Sequence, residues 1–255
     1  MAERAVSQAR PRGRHALRSR AFADELVRDA GVEPGALVLD LGAGSGVLTG
    51  ALVATGARVR AVELDAAALR QLDARFGNDP RVAVVQGDAT LLPLPAEPFA
   101  VVANLPFAAG TALLRRLLGD PRVPLMQLDA IVEWGLAAKR AAVWPSTVLG
   151  CTWGAWYELS LVRRVPRACF APPPSVDAAL LRAKRRVEPL VASSEAAAYE
   201  ALLRRAFAGQ APLDRIFPRR LVHRSANELG FDPHARARDL DVRQWARLYT
   251  AIRRV

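Results

Sequence analysis

Asn104-Leu105-Pro106-Phe107 is the stretch whose residue types most directly suggest chemistry. It follows an apolar run, Phe99-Ala100-Val101-Val102-Ala103, that reads as a buried strand. At the end of such a strand the Asn104 side-chain oxygen and the Leu105 carbonyl can both accept hydrogen bonds from an exocyclic amine. The Phe107 ring can stack on the heterocycle that carries this amine. Such a step could hold a nucleobase amino group in line with a methyl donor. Taken alone, the tetrapeptide also fits a strand ending in a proline turn with Phe107 in the core.

Three upstream features narrow the choice. Val38-Leu39-Asp40-Leu41-Gly42-Ala43-Gly44-Ser45-Gly46 reads as a strand, a glycine-rich turn and a helix. Glycines let backbone approach a nucleotide where a Cβ would collide. Glu63 ends the next strand, where a carboxylate can accept from both ribose hydroxyls of NAD or S-adenosylmethionine. Asp88, followed by Ala89, ends the third and can accept from an adenine amino group, or cap a turn. With Asn104 on the fourth strand, these residues outline an S-adenosylmethionine pocket. An NAD enzyme has no use for the Asn-Leu-Pro-Phe step.

The elements that position them follow from periodicity. Apolar runs at 37–41, 59–64, 82–85, 99–103, 125–132, 157–162 and 178–183 read as strands. Helical spacing near 46–55, 66–76, 111–118 and 134–142 separates the first five, which predicts a parallel sheet covered on both faces. A proline-rich loop at 163–175 separates the last two, as an antiparallel closing strand requires. Ser19 caps an early helix that Gly31 ends. After Pro189 only helical spacing remains, at 195–208, 214–229 and 241–252. The expected division is a basic arm at 1–18, a catalytic domain at 19–186 and a helical substrate domain at 187–255.

Composition sets bounds. The chain has 255 residues, 51% of them hydrophobic, enough for one α/β domain with a smaller partner. No apolar run is long enough to span a membrane, and no apolar leader follows the basic N-terminus. Cys151 and Cys169 form no CxxC pair, and His15, His223 and His234 do not cluster with them in sequence, so no disulfide or metal is expected and a cytoplasmic setting fits. The net charge of +11 is segregated: +5 over residues 1–20, −4 over 21–162 and +10 over 163–255. An Arg-rich surface alone would spread its charge; segregation favours polyanion binding by the two ends, with Arg4, Arg10, Arg12 and the Arg163, Arg164, Arg167 cluster as candidates.

Together these motifs resemble the ribosomal RNA adenine N6-dimethyltransferase family, which includes the 16S dimethyladenosine transferases and the Erm methyltransferases of 23S rRNA. The glycine turn is similar to the family's first motif and Asn104-Leu105-Pro106-Phe107 to its catalytic motif. Phe170-Ala171-Pro172-Pro173-Pro174-Ser175-Val176-Asp177 is similar to its Phe-x-Pro-x-Pro-x-Val-Asp loop, and Leu229-Gly230-Phe231 and Ala237-Arg238-Asp239-Leu240 to its C-terminal helical region. Ile131–Arg140 and Trp156–Arg167 resemble the Erm branch. His15 and Leu17 match two positions of the family's N-terminal cofactor motif.

The resemblance implies a Rossmann-like S-adenosylmethionine-dependent methyltransferase fold, with a mostly parallel seven-stranded sheet and a small C-terminal all-helical domain. It implies S-adenosylmethionine held by His15, Leu17, Gly42, Gly44, Gly46, Glu63, Asp88, Ala89 and Asn104. It implies catalysis by Asn104, Leu105, Pro106 and Phe107 on an adenosine of 23S rRNA, with Phe170 closing the second face of the base, in a monomer that confers macrolide-type resistance. The alternatives are a 16S rRNA dimethyltransferase of ribosome maturation and a low-activity rRNA-binding assembly factor.

Overall fold

A computed structural model describes residues 15–142 and 147–254; Arg4, Arg10, Arg12 and Arg14 lie outside them. The strands are β1 (Ala16–Leu17), β2 (Leu37–Leu41), β3 (Arg58–Glu63), β4 (Val82–Gln86), β5 (Phe99–Asn104), β6 (Leu125–Glu133), β7 (Tyr157–Val165), β8 (Phe170–Ala171) and β9 (Ala178–Arg185). The α-helices are α1 (Arg20–Ala30), α2 (Val47–Ala54), α3 (Ala66–Phe76), α4 (Gly110–Leu118), α5 (Trp134–Arg140), α6 (Val148–Gly154), α7 (Ala196–Phe207), α8 (Leu213–Ile216), α9 (Arg219–Leu229) and α10 (Val242–Arg253).

Seven strands form one sheet in the order β4-β3-β2-β5-β6-β9-β7. The first five positions are parallel. β9 inserts between β6 and β7 and runs antiparallel to both, which is the closing arrangement the proline-rich loop predicts. Chain direction across the sheet reverses between β2 and β5, so the carboxyl ends of β2, β3, β4 and β5 open on one crevice at the switch point. That crevice receives Gly42, Glu63, Asp88 and Asn104.

Local signals set the surrounding helices. Ser19 caps α1 by accepting from the Phe22 N–H, and Gly31 ends it in the left-handed conformation. The buried face of α1, through Phe22, Leu26 and Val27, packs in one core layer with α2 and the outer side of β8.

The other core layer is continuous from the sheet into the C-terminal helices. It joins Leu128, Trp153 and Trp156 to Tyr199, Leu203 and Trp245 without a gap. The Trp156 indole N–H donates to the Val191 carbonyl at 2.8 Å, and its ring meets Tyr199 edge-on. The helical region is therefore fused to the sheet through shared apolar packing.

Candidate active site

The glycine turn is folded over the end of β3. Gly42 and Ala43 both donate to the Val62 carbonyl, at 2.8 and 3.0 Å. Gly44 donates to Glu63 Oε2 at 2.8 Å, while Leu64 and Asp65 donate to Glu63 Oε1 at 2.8 Å each. Glu63 thus ties the turn to its own strand end. Gly42 has φ +77° and a Cβ there would lie 3.4 Å from the Pro106 ring, so the turn and the Asn-Leu-Pro-Phe step are in near contact.

Gly46 has a different job from the one its motif suggests. A Cβ at Gly46 would sit 2.6 Å from Phe76 and 2.8 Å from Leu72. It is buried against α3 and lets α2 approach that helix. A small cleft of about 30 Å³ is lined by Leu17, Asp40, Gly42, Gly44, Ser45 and Asn104, among others, but not by Gly46.

Asn104 ends β5 beside this cleft. Its amide Nδ2 donates to the His15 carbonyl at 2.7 Å. That bond fixes which way the amide faces, and it leaves Oδ1 buried with no hydrogen-bond partner. An orphaned buried acceptor costs stability, and one at the edge of a cleft is placed to take a hydrogen from a bound group. Leu105 is buried and anchors the step by donating its N–H to the Ile131 carbonyl at 3.1 Å. Phe107 is half-buried, and its ring lies 5.4 Å from that of His15. His15 also donates its ring Nδ1–H to the Pro172 carbonyl at 2.9 Å. The pairing of β1 with β8, Ala16 to Ala171 and Leu17 to Phe170, carries His15 to this position.

Asp88 sits after β4 with Oδ1 accepting from the Thr90 hydroxyl and N–H, at 2.7 and 2.8 Å. The Thr90 hydroxyl, with the backbone N–H, holds its carboxyl below the usual range, and Ala89 packs behind it on the main core. Oδ2 has no hydrogen-bond partner among the described residues.

Two of the expected substrate contacts are engaged within the chain itself. Phe170 is 1% exposed and packed with Leu17, Phe22 and Val165, so its ring lies in the core rather than open to a second face of a base. β1 covers it. The Arg163, Arg164, Arg167 cluster is not a free cationic patch. Arg163 pairs with Glu25 and Asp29 and lies over the Phe22 ring. Arg164 and Arg167 pair with Asp177, at 2.7 and 3.4 Å. Three cations thus face three carboxylates.

The residue that motif reading passes over is Asp40. It is buried inside β2, accepts from the Thr49 hydroxyl at 2.7 Å, and lines the cleft. Burial pushes its carboxyl up to about 7; the Thr49 hydrogen bonds oppose this and nearby Glu63 adds to it. The signal was present: an acid inside the apolar run Leu37–Leu41 is expensive unless it is used.

The family described as "Ribosomal RNA adenine dimethylase" matches residues 7–254. The mycinamicin-resistance protein MyrB of Micromonospora griseorubida is 39% identical over 223 residues, covering 86% of this chain and 70% of that protein. Ribosomal RNA small subunit methyltransferase A of Synechococcus sp. (strain JA-3-3Ab) is 34% identical over 251 residues, covering 92% and 90%. The crystal structure of the 23S rRNA methyltransferase ErmE superposes with a TM-score of 0.81 at 28% identity, covering 93% of this chain and 99% of that one. A match that runs almost from end to end, on a sheet whose strand ends carry the motifs in order, means that the chain belongs to the ribosomal RNA adenine dimethylase family.

Proposed function

We propose that this S-adenosylmethionine-dependent rRNA adenine-N6-methyltransferase modifies an adenosine of 23S rRNA, acts as a monomer, and confers resistance to macrolide-type antibiotics. The observation that carries the adenine chemistry is the buried, unpartnered Asn104 Oδ1 at the mouth of the glycine turn. The residues present fit the cofactor: a turn of glycines in near contact with the catalytic step, an open oxygen on Asp88, and Glu63 at the neighbouring strand end.

When bound, S-adenosylmethionine supplies an electrophilic methyl group. The chain's own contribution is placement and polarisation. Asn104 Oδ1 and the Leu105 carbonyl accept the two N6 hydrogens of a base flipped from its RNA context. This draws the nitrogen lone pair out of conjugation with the ring and turns it toward the crevice. Phe107 stacks on one face of the base, backed by His15. No strong general base is required, since a methylated ammonium loses its proton readily to water. Catalysis is positioning and electrostatics. Within this reading residues 19–186 carry the chemistry and 187–255 face the RNA. Exposed Arg220, Arg243 and Arg247 there carry no ion-pair partner among the described residues, which makes them better phosphate contacts than the Arg163 cluster.

The 23S target is supported by the name of the ErmE structure and by the resistance role in the name of MyrB. A 16S target is the second reading, favoured by the extent of the small subunit methyltransferase A match. Incubation with labelled cofactor and naked 23S or 16S rRNA, followed by primer extension, decides between them. Label confined to 16S rRNA would overturn the 23S assignment, and no label on either would overturn the enzymatic one.

A further inference from the structure

Away from the crevice, Asp214, His223 and His234 bring three ligating atoms within 4.8 Å of one another. Asp214 is the second residue of α8, His223 lies in α9, and His234 lies in the turn that follows Gly230. His223 Nε2 is 3.3 Å and His234 Nδ1 3.1 Å from the same oxygen, Asp214 Oδ2. The segments that carry them are fixed. Leu213 donates its N–H to the Ala235 carbonyl at 2.9 Å, and Asp232 accepts the His234 N–H at 2.8 Å. Val222, next to His223, is fully buried.

Ordinary hydrogen bonding explains this cluster incompletely. A carboxylate that only had to satisfy two imidazole N–H groups would use both oxygens. Here both rings converge on Oδ2, while Oδ1 is buried with no partner, on a side chain only 7% exposed. A tetrahedral divalent ion with bonds of about 2.0–2.1 Å holds its ligand atoms roughly 3.3 Å apart, close to both imidazole–carboxylate separations, while the two ring nitrogens lie within 4.8 Å of each other. We propose that Asp214, His223 and His234 form a binding site for a divalent cation of the zinc class, which pins α8, α9 and the 230–236 turn together. Two imidazoles and one carboxylate suit zinc, cobalt or nickel better than magnesium or calcium, which prefer oxygen. Water completes the coordination from the solvent side, where the His234 side chain is 62% exposed. Arg219 Nε, 3.8 Å from Asp214 Oδ2, is the cation that a metal displaces; its side chain is 71% exposed and can turn into solvent. The role is structural and does not depend on the rRNA target.

The test uses the full chain without a histidine tag, stripped with chelator. Cobalt titration followed by visible absorption, and zinc titration followed by calorimetry, should each show one equivalent bound. The melting temperature should rise with free zinc, since the ion binds the native state. His234→Ala changes an exposed side chain and keeps the fold; it should weaken zinc binding more than about 100-fold, beyond what loss of an outer partner costs. His223→Gln should do the same, and His15→Ala should not. Absence of saturable uptake by the wild type, or equal affinity in His234→Ala, overturns the site.

Discussion

Replacing Asn104 with alanine should separate stability from activity, because the substitution removes two terms of opposite sign. The Nδ2 bond to the His15 carbonyl, 2.7 Å long, is lost. Such a bond is worth roughly 0.5–1.5 kcal/mol. The orphaned Oδ1 is lost as well. A buried unsatisfied acceptor costs about 1–3 kcal/mol, so its removal offsets the first loss. The net change should lie between a loss of about 0.5 and a gain of about 2.5 kcal/mol, a melting shift of no more than roughly 10 °C for a chain of this size. Turnover should behave differently. Loss of a preorganised contact to the reacting group slows the chemical step by ~10²-fold or more, or ~2.7 kcal/mol on the barrier. Single-turnover transfer of labelled methyl to RNA, with both partners saturating, measures the rate, and thermal melting on the same preparation measures the fold. A variant that melts far below wild type would show that Asn104 mainly holds the β1 segment in place. A variant with near wild-type single-turnover rate would refute the catalytic assignment itself.

Asp40 offers a pH test. Its native carboxyl keeps a proton up to about 7, whereas the ordinary value is 3.8. Native Asp40 therefore holds its proton more tightly than the unfolded chain does, and the stability this confers is complete below about pH 4 and lost as pH rises toward 7. Asp40→Asn, which stays neutral and can still accept from Thr49, should gain on wild type progressively across that interval in melting experiments; a pH-independent difference would contradict the shift. Gly46→Ala should cost about 2–4 kcal/mol in denaturant unfolding, combining left-handed backbone strain with overpacking against Phe76 and Leu72; a cost near zero would mean that α2 and α3 part easily. Changing Arg163, Arg164 and Arg167 to Gln should leave the salt dependence of RNA binding nearly unchanged, because their charges are already matched by Glu25, Asp29 and Asp177. Changing Arg243 and Arg247 should flatten it by up to about 0.7–0.9 per contact, read from RNA affinity at several salt concentrations.

The sheet was legible because each buried strand is a short apolar run bounded by turn residues, and the motifs fall at strand ends. β9 was legible as antiparallel because no helix precedes it. What the sequence hid depends on long-range pairing. The two-residue strands β1 and β8 carry no periodicity, yet their pairing sets His15 against Asn104 and buries Phe170. The short helix α6 lay unmarked between α5 and β7. Arg163 reads as surface charge until β7 aligns it with Glu25 and Asp29 on α1. Likewise His223 and His234 look like isolated residues in an Arg-rich region, and only the turn after Gly230 folds them onto Asp214.

The uninterrupted core between the sheet and the C-terminal helices has a mechanical consequence. Trp156, Tyr199 and Tyr249 form a chain of edge-on rings across the junction, which ties the two parts to one another. On the proposed function, RNA held by α9 or α10 would be measured as by a rigid caliper: the span between the helical face and the crevice would select which adenosine reaches the amide. A helix inserted or lost in the RNA between those two points of engagement would defeat methylation even where the target base and its neighbours are unchanged.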